Sequence, residues 1–137
     1  TDRLINLVKR SGAKVGVALN PATSLSVLDY ILPQCDSILL MLINPGFATD
    51  KGEKQVSYAD KKVKDLSELI RKNNLDVKIQ VDGRVSLETI PKLVSAGADS
   101  LVVGSTSLFI PGNTISENKK LLDISISEGL KGGNFNG

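Results

Sequence analysis

The stretch DSILLMLIN, residues Asp36 to Asn44, decides the fold class of this chain. A short, continuous run of Ile, Leu and Met without alternating polar residues is typical of a strand buried on both faces, as in a parallel sheet. Three further apolar runs lie elsewhere in the sequence, at Lys14 to Leu19, Val77 to Asp82 and Ser100 to Ser105. The sequence therefore predicts four buried strands.

Helical patterns separate these strands. Apolar residues recur at helical spacing in Arg3 to Ser11, Ser24 to Leu32, Tyr58 to Asn73, Ser86 to Ala96 and Ser116 to Leu130. Strands that alternate with helices indicate an α/β fold with a parallel sheet. A doubly wound sheet and about half of a (β/α)8 barrel both fit this order. The glycine-rich residues 131–137 are predicted to be a flexible tail.

Composition excludes several classes of protein. The chain has 137 residues and a formal net charge of +2, which is too small to indicate binding to nucleic acid or to an anionic membrane. No apolar run is long enough to span a bilayer, so we expect a cytoplasmic protein. The clustered Lys61, Lys62 and Lys64 are interleaved with acids and predict a solvated helix face. The single cysteine, Cys35, cannot form an internal disulfide and is predicted to be a small buried residue.

Polar or glycine residues follow all four predicted strands, where parallel α/β folds bind their ligands. These residues are Asn20-Pro21, Asn44-Pro45-Gly46-Phe47, Asp82-Gly83 and Gly104-Ser105. A carboxylate at the tip of a buried strand, as at Asp82, indicates a metal ligand or a general base, although a turn acid is also possible. Glycines between a strand and a helix let backbone amides approach an anion, or they simply make turns. The sequence favours a binding face that includes a phosphate site.

Four strings resemble the ribulose-phosphate 3-epimerase family: GVALNPAT (Gly16 to Thr23), LMLINPGF (Leu40 to Phe47), QVDG (Gln80 to Gly83) and AGADSLVVGSTSLF (Ala96 to Phe109). The resemblance implies the C-terminal half of a (β/α)8 TIM barrel, with parallel strands five to eight. It further implies one (β/α)4 half-barrel domain over residues 1–137, which begins in the helix before strand five.

The resemblance implies a ketose-phosphate 3-epimerase of the ribulose 5-phosphate/xylulose 5-phosphate type, which transfers a proton at C3 with the help of a divalent metal (Zn, Fe, Mn or Co). Asp82 matches an aspartate that is both metal ligand and acid/base. Met41 matches a methionine that packs over the enediolate, although it could equally be core filler. The residues that match the substrate and phosphate segments are Gly46, Phe47, Ala48, Thr49, Gly83, Arg84, Gly104 and Ser105.

The chain also departs from the family's pattern. Compared with the family pattern, the run Ala48 to Gly52 has a few residues inserted after Phe47. Arg84 stands where the family has a second glycine, so its side chain either pairs with phosphate or crowds the phosphate cradle. A hexulose-6-phosphate 3-epimerase therefore stays an alternative. A decarboxylase or thiamin-phosphate-type synthase is disfavoured by the pairing of NPGF with QVDG.

The family's metal site uses two histidines and an aspartate from early strands, and this chain contains no histidine. The resemblance then implies a partial enzyme that lacks the first βα units and is inactive alone. It would form a homo-oligomer or pair with the missing N-terminal half. A non-catalytic, phosphate-binding half-barrel that self-associates is the alternative from a different class.

Overall fold

The computed structural model describes residues 1–46 and 49–132. Its helices and strands alternate along the chain, as the apolar runs predict. The elements are α1 (Asp2–Arg10), β1 (Gly16–Leu19), β2 (Ser37–Met41), α2 (Ala59–Lys72), β3 (Lys78–Asp82), α3 (Ile90–Ala96), β4 (Ser100–Leu101) and α4 (Ile115–Gly132). Two short 3-10 helices, Leu25–Leu28 and Leu32–Gln34, lie between β1 and β2.

The four strands form one parallel sheet in the order β1-β2-β3-β4, which is also their order in the chain. The register places Leu19 opposite Leu40, Leu40 opposite Val81, and Val81 opposite Leu101. All four carboxyl ends therefore lie at one end of the sheet, where the ligand site was predicted.

The two faces of the sheet differ in burial. On one face Ile38, Leu40, Ile79 and Val81 are buried, and they join a core with apolar residues of α2 and α3. The other face alternates with it and carries side chains that are half-buried or exposed. We call it the open face; its residues are Ala18, Leu39, Met41, Gln80, Asp82 and Ser100. Because it mixes small, polar and apolar side chains, it differs from the continuous apolar surface that the sequence predicts for both faces.

The predicted helix from Ser24 to Leu32 is wrong, since the two 3-10 helices occupy this segment. The Ser24 hydroxyl accepts a hydrogen bond from the Ser26 amide at 3.2 Å and so caps the first 3-10 helix. Beyond this cap, the amides of Asp29 and Ile31 donate to carbonyls three residues earlier, which is 3-10 bonding. Pro33 has no amide hydrogen and disfavours the α conformation at Leu32, so it opposes a continuous α-helix at the end of this segment.

The fourth predicted strand ends earlier than expected, at Leu101 rather than Ser105. The Ser107 hydroxyl accepts a hydrogen bond from the Gly104 amide at 3.1 Å. The amides of Leu108 and Phe109 both donate to the Gly104 carbonyl, so the chain turns here instead of extending the ladder. The shortened strand leaves Gly104 and Ser105 in a turn beyond the sheet.

Two helix boundaries also differ from the prediction. Ser86 and Thr89 bond each other's amides through their hydroxyls, at 3.2 and 3.0 Å, and α3 begins only at Ile90. The last helix, α4, runs to Gly132, two residues beyond the predicted helix end at Leu130. Residues 133–137 lie outside the described part of the chain. The predicted helices at Arg3 to Ser11 and Tyr58 to Asn73 are confirmed as α1 and α2.

Candidate functional site at the carboxyl ends of the strands

Asp82 and Met41 occupy the last paired row of the sheet. They are register partners on β3 and β2, and both lie half-buried on the open face. The Leu42 amide donates to the Asp82 carbonyl at 2.7 Å and so continues the ladder by one bond. The backbone that carries the Asp82 carboxylate is therefore held by the hydrogen bonds of the sheet, and Met41, its register partner, carries a thioether.

Gly83 makes the turn that follows Asp82. Its φ of +117° lies in the region that favours glycine, and a Cβ at this position would meet the Ile43 side chain and amide at 3.0 Å. The turn after β3 therefore packs closely against the chain that leaves β2. Arg84, the next residue, also has a positive φ of 47°.

Two side chains join the turn after β3 to the loop after β2. The Arg84 guanidinium donates to the Asp50 carbonyl through Nη2. Gln55 donates from Nε2 to the Gly83 carbonyl at 2.8 Å and to the Arg84 carbonyl at 3.1 Å. The predicted phosphate ligand Arg84 thus bonds the loop after β2, and Gln55 of the same loop, which the sequence did not single out, bonds the turn after β3.

A small cavity of about 130 Å³ lies between the turns after β3 and β4. Its lining residues are Asp82, Arg84, Val85, Val102, Val103, Gly104, Ser105 and Thr106. The two turns are tied together by the Thr106 hydroxyl, which donates to the Val85 carbonyl at 2.6 Å. Among the described residues, no acceptor bonds the amides of Ser105 and Thr106. Consecutive amides of this kind suit an anion.

The predicted site residues fall into two groups. Asp82, Arg84, Gly104 and Ser105 line the same cavity, and Met41 and Gly83 adjoin Asp82 along the chain or the ladder. Gly46 and Thr49 are exposed on the loop after β2 and do not line it. The predicted ligands Phe47 and Ala48 lie outside the described residues.

The residues present do not fit a divalent metal on their own. The chain contains no histidine. Within residues 1–46 and 49–132, no three Asp, Glu, Cys or His side chains come together as a metal site. A single carboxylate such as Asp82 does not hold a catalytic metal against water, since such sites use several protein ligands.

Lys62 is buried, and the prediction of a solvated helix face is wrong for this residue. Its ammonium donates to three backbone carbonyls of the loop after β1. Burial lowers its pKa. Its neighbours Lys61 and Lys64 are exposed, as predicted.

Cys35 is buried, as predicted, and its thiol donates to the Ile31 carbonyl at 3.3 Å. Burial raises the pKa of the Cys35 thiol. Elsewhere, a larger cleft of about 840 Å³ is lined by α2, α3 and α4, and none of its lining residues belongs to a strand or to a strand-end turn. In the described part of the chain, the helices are too short or too polar to cross a bilayer.

Comparison with known proteins identifies the family of this chain. The model of the Ribulose-phosphate 3 epimerase family matches residues 1–109. Ribulose-phosphate 3-epimerase of Escherichia coli (strain K12) is 37% identical over 127 residues, which are 93% of this chain and 53% of the relative. The Methanocaldococcus jannaschii ribulose-phosphate 3-epimerase is 46% identical over 103 residues, or 75% of this chain and 43% of the relative.

The fold has a counterpart among solved structures. A 3-hexulose-6-phosphate synthase from Salmonella typhimurium superposes with a TM-score of 0.58 at 18% identity, over 93% of this chain and 56% of that one. The parallel sheet and this likeness define an α/β protein with a TIM-barrel-like fold. The chain belongs to the ribulose-phosphate 3-epimerase family. It spans about half the length of the curated relatives it matches.

Proposed function

We propose that this chain supplies one proton-transfer group and the phosphate cradle of a ketose-phosphate 3-epimerase that interconverts ribulose 5-phosphate and xylulose 5-phosphate. Family membership supports the reaction. The observation that carries the assignment is the position of Asp82, which ends β3 and also lines the cavity beside the Gly104-Ser105 turn. An acidic residue and a turn with two amides that we propose bind phosphate thus line the same small cavity.

In this proposal the Asp82 carboxylate exchanges the proton at C3 of the sugar. Removing that proton next to the C2 carbonyl leaves an enediolate, and returning a proton to the opposite face inverts C3. The second donor must stand across the sugar from Asp82. Met41, beside Asp82 in the last row, packs against the planar enediolate and keeps water away from it.

The phosphate of the substrate lies in this proposal against the turns at Gly83 and Gly104-Ser105. The amides of Ser105 and Thr106 bond no acceptor in the described part of the chain, and both residues line the cavity. Gly46, Phe47, Ala48 and Thr49 would contribute the rim of the site from the loop after β2. Arg84 acts mainly through the loop it binds at Asp50.

We propose that the remaining parts of the site come from further βα units. The resemblance to the family suggests a divalent metal, yet the described residues offer only Asp82 as a ligand. The sheet has two unpaired edges at β1 and β4, and its open face lacks a covering layer among the described residues. Such edges and faces pair with further strands, here either an N-terminal half-barrel or a second copy of the chain.

Particular features of the chain support two alternative functions. Arg84 and the run Ala48 to Gly52 both depart from the family pattern, so a hexulose 6-phosphate is the alternative substrate. The open face and sheet edges favour a non-catalytic half-barrel that binds phosphate and self-associates. We further propose a cytoplasmic location, with which the free thiol of Cys35 is compatible.

Fragment complementation tests the proposal. The chain is mixed with the segment of the Escherichia coli relative that it does not match, a divalent metal and ribulose 5-phosphate in D2O. We expect proton NMR to show deuterium entering at C3 in the mixture and in neither segment alone. Light scattering on the same samples reports whether the segments associate. A mixture that associates but leaves C3 protonated would contradict the proposed function. Deuterium exchange in a hexulose 6-phosphate and not in ribulose 5-phosphate would show that the hexulose 6-phosphate is the substrate.

A further inference from the structure

The buried Lys62 of α2 binds the loop that follows β1. Its Nζ donates to the carbonyls of Asn20 at 2.9 Å, Pro21 at 2.6 Å and Thr23 at 2.7 Å. An ammonium has three hydrogens, and all of them are used on this one loop. The side chain therefore links two segments that lie about forty residues apart in the sequence.

No carboxylate pairs with this buried cation in the described part of the chain, where the lysines that form ion pairs are Lys61, Lys78 and Lys119. Burying a charge is unfavourable unless polar groups replace its water. Three carbonyl dipoles replace it here, so the ammonium and the loop backbone depend on each other. A lysine that only packed against its neighbours would not need its ammonium to donate to three carbonyls.

The loop that Lys62 binds begins at the ligand end of the sheet. Asn20 directly follows Leu19, which pairs with Leu40, so Asn20 lies at the level of Met41 and Asp82. β1 ends at Leu19, but exposed Ala18, buried Leu19 and exposed Asn20 continue its alternation, which predicts that Asn20 lies on the open face. The Asn20 carbonyl accepts both the Lys62 ammonium and the Thr23 amide, the latter at 3.1 Å.

We propose that Lys62 is a positioning residue that fixes the backbone at Asn20, so that the Asn20 amide side chain binds a hydroxyl of the sugar phosphate in the row of Met41 and Asp82. That Lys62 fixes the loop follows from its three hydrogen bonds alone. The sugar contact rests on the proposed function. Asn20 offers both a donor and an acceptor, which matches a sugar hydroxyl.

Solvent-exchange NMR of the Thr23 amide tests the fixing of the loop. K62M keeps the apolar stem and removes the three hydrogen bonds, and we expect Thr23 exchange to accelerate by about ten-fold or more. The Leu66 amide of α2 should change less than about two-fold. K61M is the matched control, because Lys61 is exposed and bonds only Asp65, and it should leave Thr23 exchange unchanged. Unchanged Thr23 exchange in K62M, or equal acceleration at Leu66, would overturn the proposal.

Chemical rescue separates the ammonium from packing. K62A lacks three methylenes and the charge, which n-propylammonium replaces, whereas n-propanol replaces volume without three donors. We expect n-propylammonium alone to slow Thr23 exchange in K62A toward the wild-type rate. Equal effects of the two additives, or none from either, would show that the cation does not hold the loop.

A double-mutant cycle on ribulose 5-phosphate binding tests the sugar contact. N20A and K62M should each weaken binding, the double variant should be no weaker than the worse single variant, and inorganic phosphate should bind all four proteins equally. Additive losses of affinity in the double variant, or no loss of affinity in N20A, would show that Asn20 does not bind the sugar as proposed. If wild type binds inorganic phosphate and not ribulose 5-phosphate, the proposed function fails, whereas the Thr23 exchange result still decides the role of Lys62 on the loop.

Discussion

Met41 and Asp82 are register partners at the ends of adjacent parallel strands, and the backbone bond beyond them runs from the Leu42 amide to the Asp82 carbonyl at 2.7 Å. The position of the carboxylate is thus set by the ladder rather than by a loop. A change of its chemistry should leave its position intact. This separation of chemistry from structure makes Asp82 the most direct residue to test.

D82N should remove proton exchange at C3 in the complemented enzyme while phosphate binding remains. Asparagine has nearly the same shape but cannot accept and return the proton, and loss of an acid/base group lowers rates by about 10²-fold to 10⁴-fold. Deuterium incorporation measures the rate, and inorganic phosphate titration checks the cradle. D99N is a control, because Asp99 accepts from the Ile79 amide at the opposite end of β3. Exchange in D82N at the wild-type rate would exclude Asp82 as an acid/base.

G83A should destabilise the fold more than G12A does. Both glycines have positive φ, +117° and +80°, so both substitutions incur backbone strain of about 1–2 kcal/mol. Only the Cβ at Gly83 collides, at 3.0 Å from Ile43, whereas nothing lies within 4 Å at Gly12. Overpacking adds about 1–3 kcal/mol at Gly83. Urea unfolding measures both, and equal losses would mean that the turn after β3 packs loosely.

G104A should weaken phosphate binding without affecting stability. A Cβ at Gly104 meets nothing within 4 Å, so the free energy of unfolding should change by less than about 0.5 kcal/mol. The added methyl projects where an anion would approach the turn, and the loss of one hydrogen bond corresponds to about 3-fold to 10-fold in affinity. Calorimetric titration with phosphate measures this. G132A, at the end of α4, is the control, and an equal effect of both variants would place the anion elsewhere.

R84G should be more stable than R84A by about 1 kcal/mol, because glycine adopts the positive φ of 47° without the Cβ penalty. Both variants lose the guanidinium bond to the Asp50 carbonyl. The Glu53 amide, which donates to Asp50 at 3.2 Å, should therefore exchange faster in both variants. Thermal unfolding gives the first comparison and amide exchange the second. A less stable R84G would show that the backbone at Arg84 is unstrained.

Cys35 should react slowly with iodoacetamide in the native chain and rapidly in urea. Burial raises the pKa of the thiol, so the thiolate forms at higher pH in the folded state than in the unfolded state. Its contribution to stability is then full below the unfolded pKa of about 8.5 and is lost as pH rises through the folded pKa. Alkylation rates between neutral and alkaline pH test this. Native rates equal to those of free cysteine would place the thiol at the surface.

The strands could be predicted from the sequence because continuous apolar runs have few other uses in a chain of this composition. The segment from Ser24 to Leu32 has the same helical spacing as α1, yet it forms 3-10 turns and is followed by Pro33. Pro33 was a visible signal against a continuous helix, although the apolar spacing favoured one. The early end of β4 could not be predicted, since it follows from the Ser107 hydroxyl reaching back to Gly104.

The residues of the site also divide into those that the sequence could predict and those that it could not. Asp82, Gly104 and Ser105 could be found because strand ends meet at one edge of a parallel sheet. Lys62 was missed among its charged neighbours, although it precedes Leu66 by four residues and so shares the buried side of α2 with Val63 and Ile70. Gln55 carried no local signal, because its partners are the carbonyls of Gly83 and Arg84 in a different loop.

The order β1-β2-β3-β4, identical in space and in sequence, has a consequence for how the chain acquires its structure. Each strand pairs with the strand before it, so pairing never waits for a distant segment, and contact order stays low for a parallel sheet. During synthesis, each new strand that leaves the ribosome finds its neighbour already in place. The sheet can therefore grow one βα unit at a time, from β1 to β4, and each new strand forms the edge on which the next one pairs.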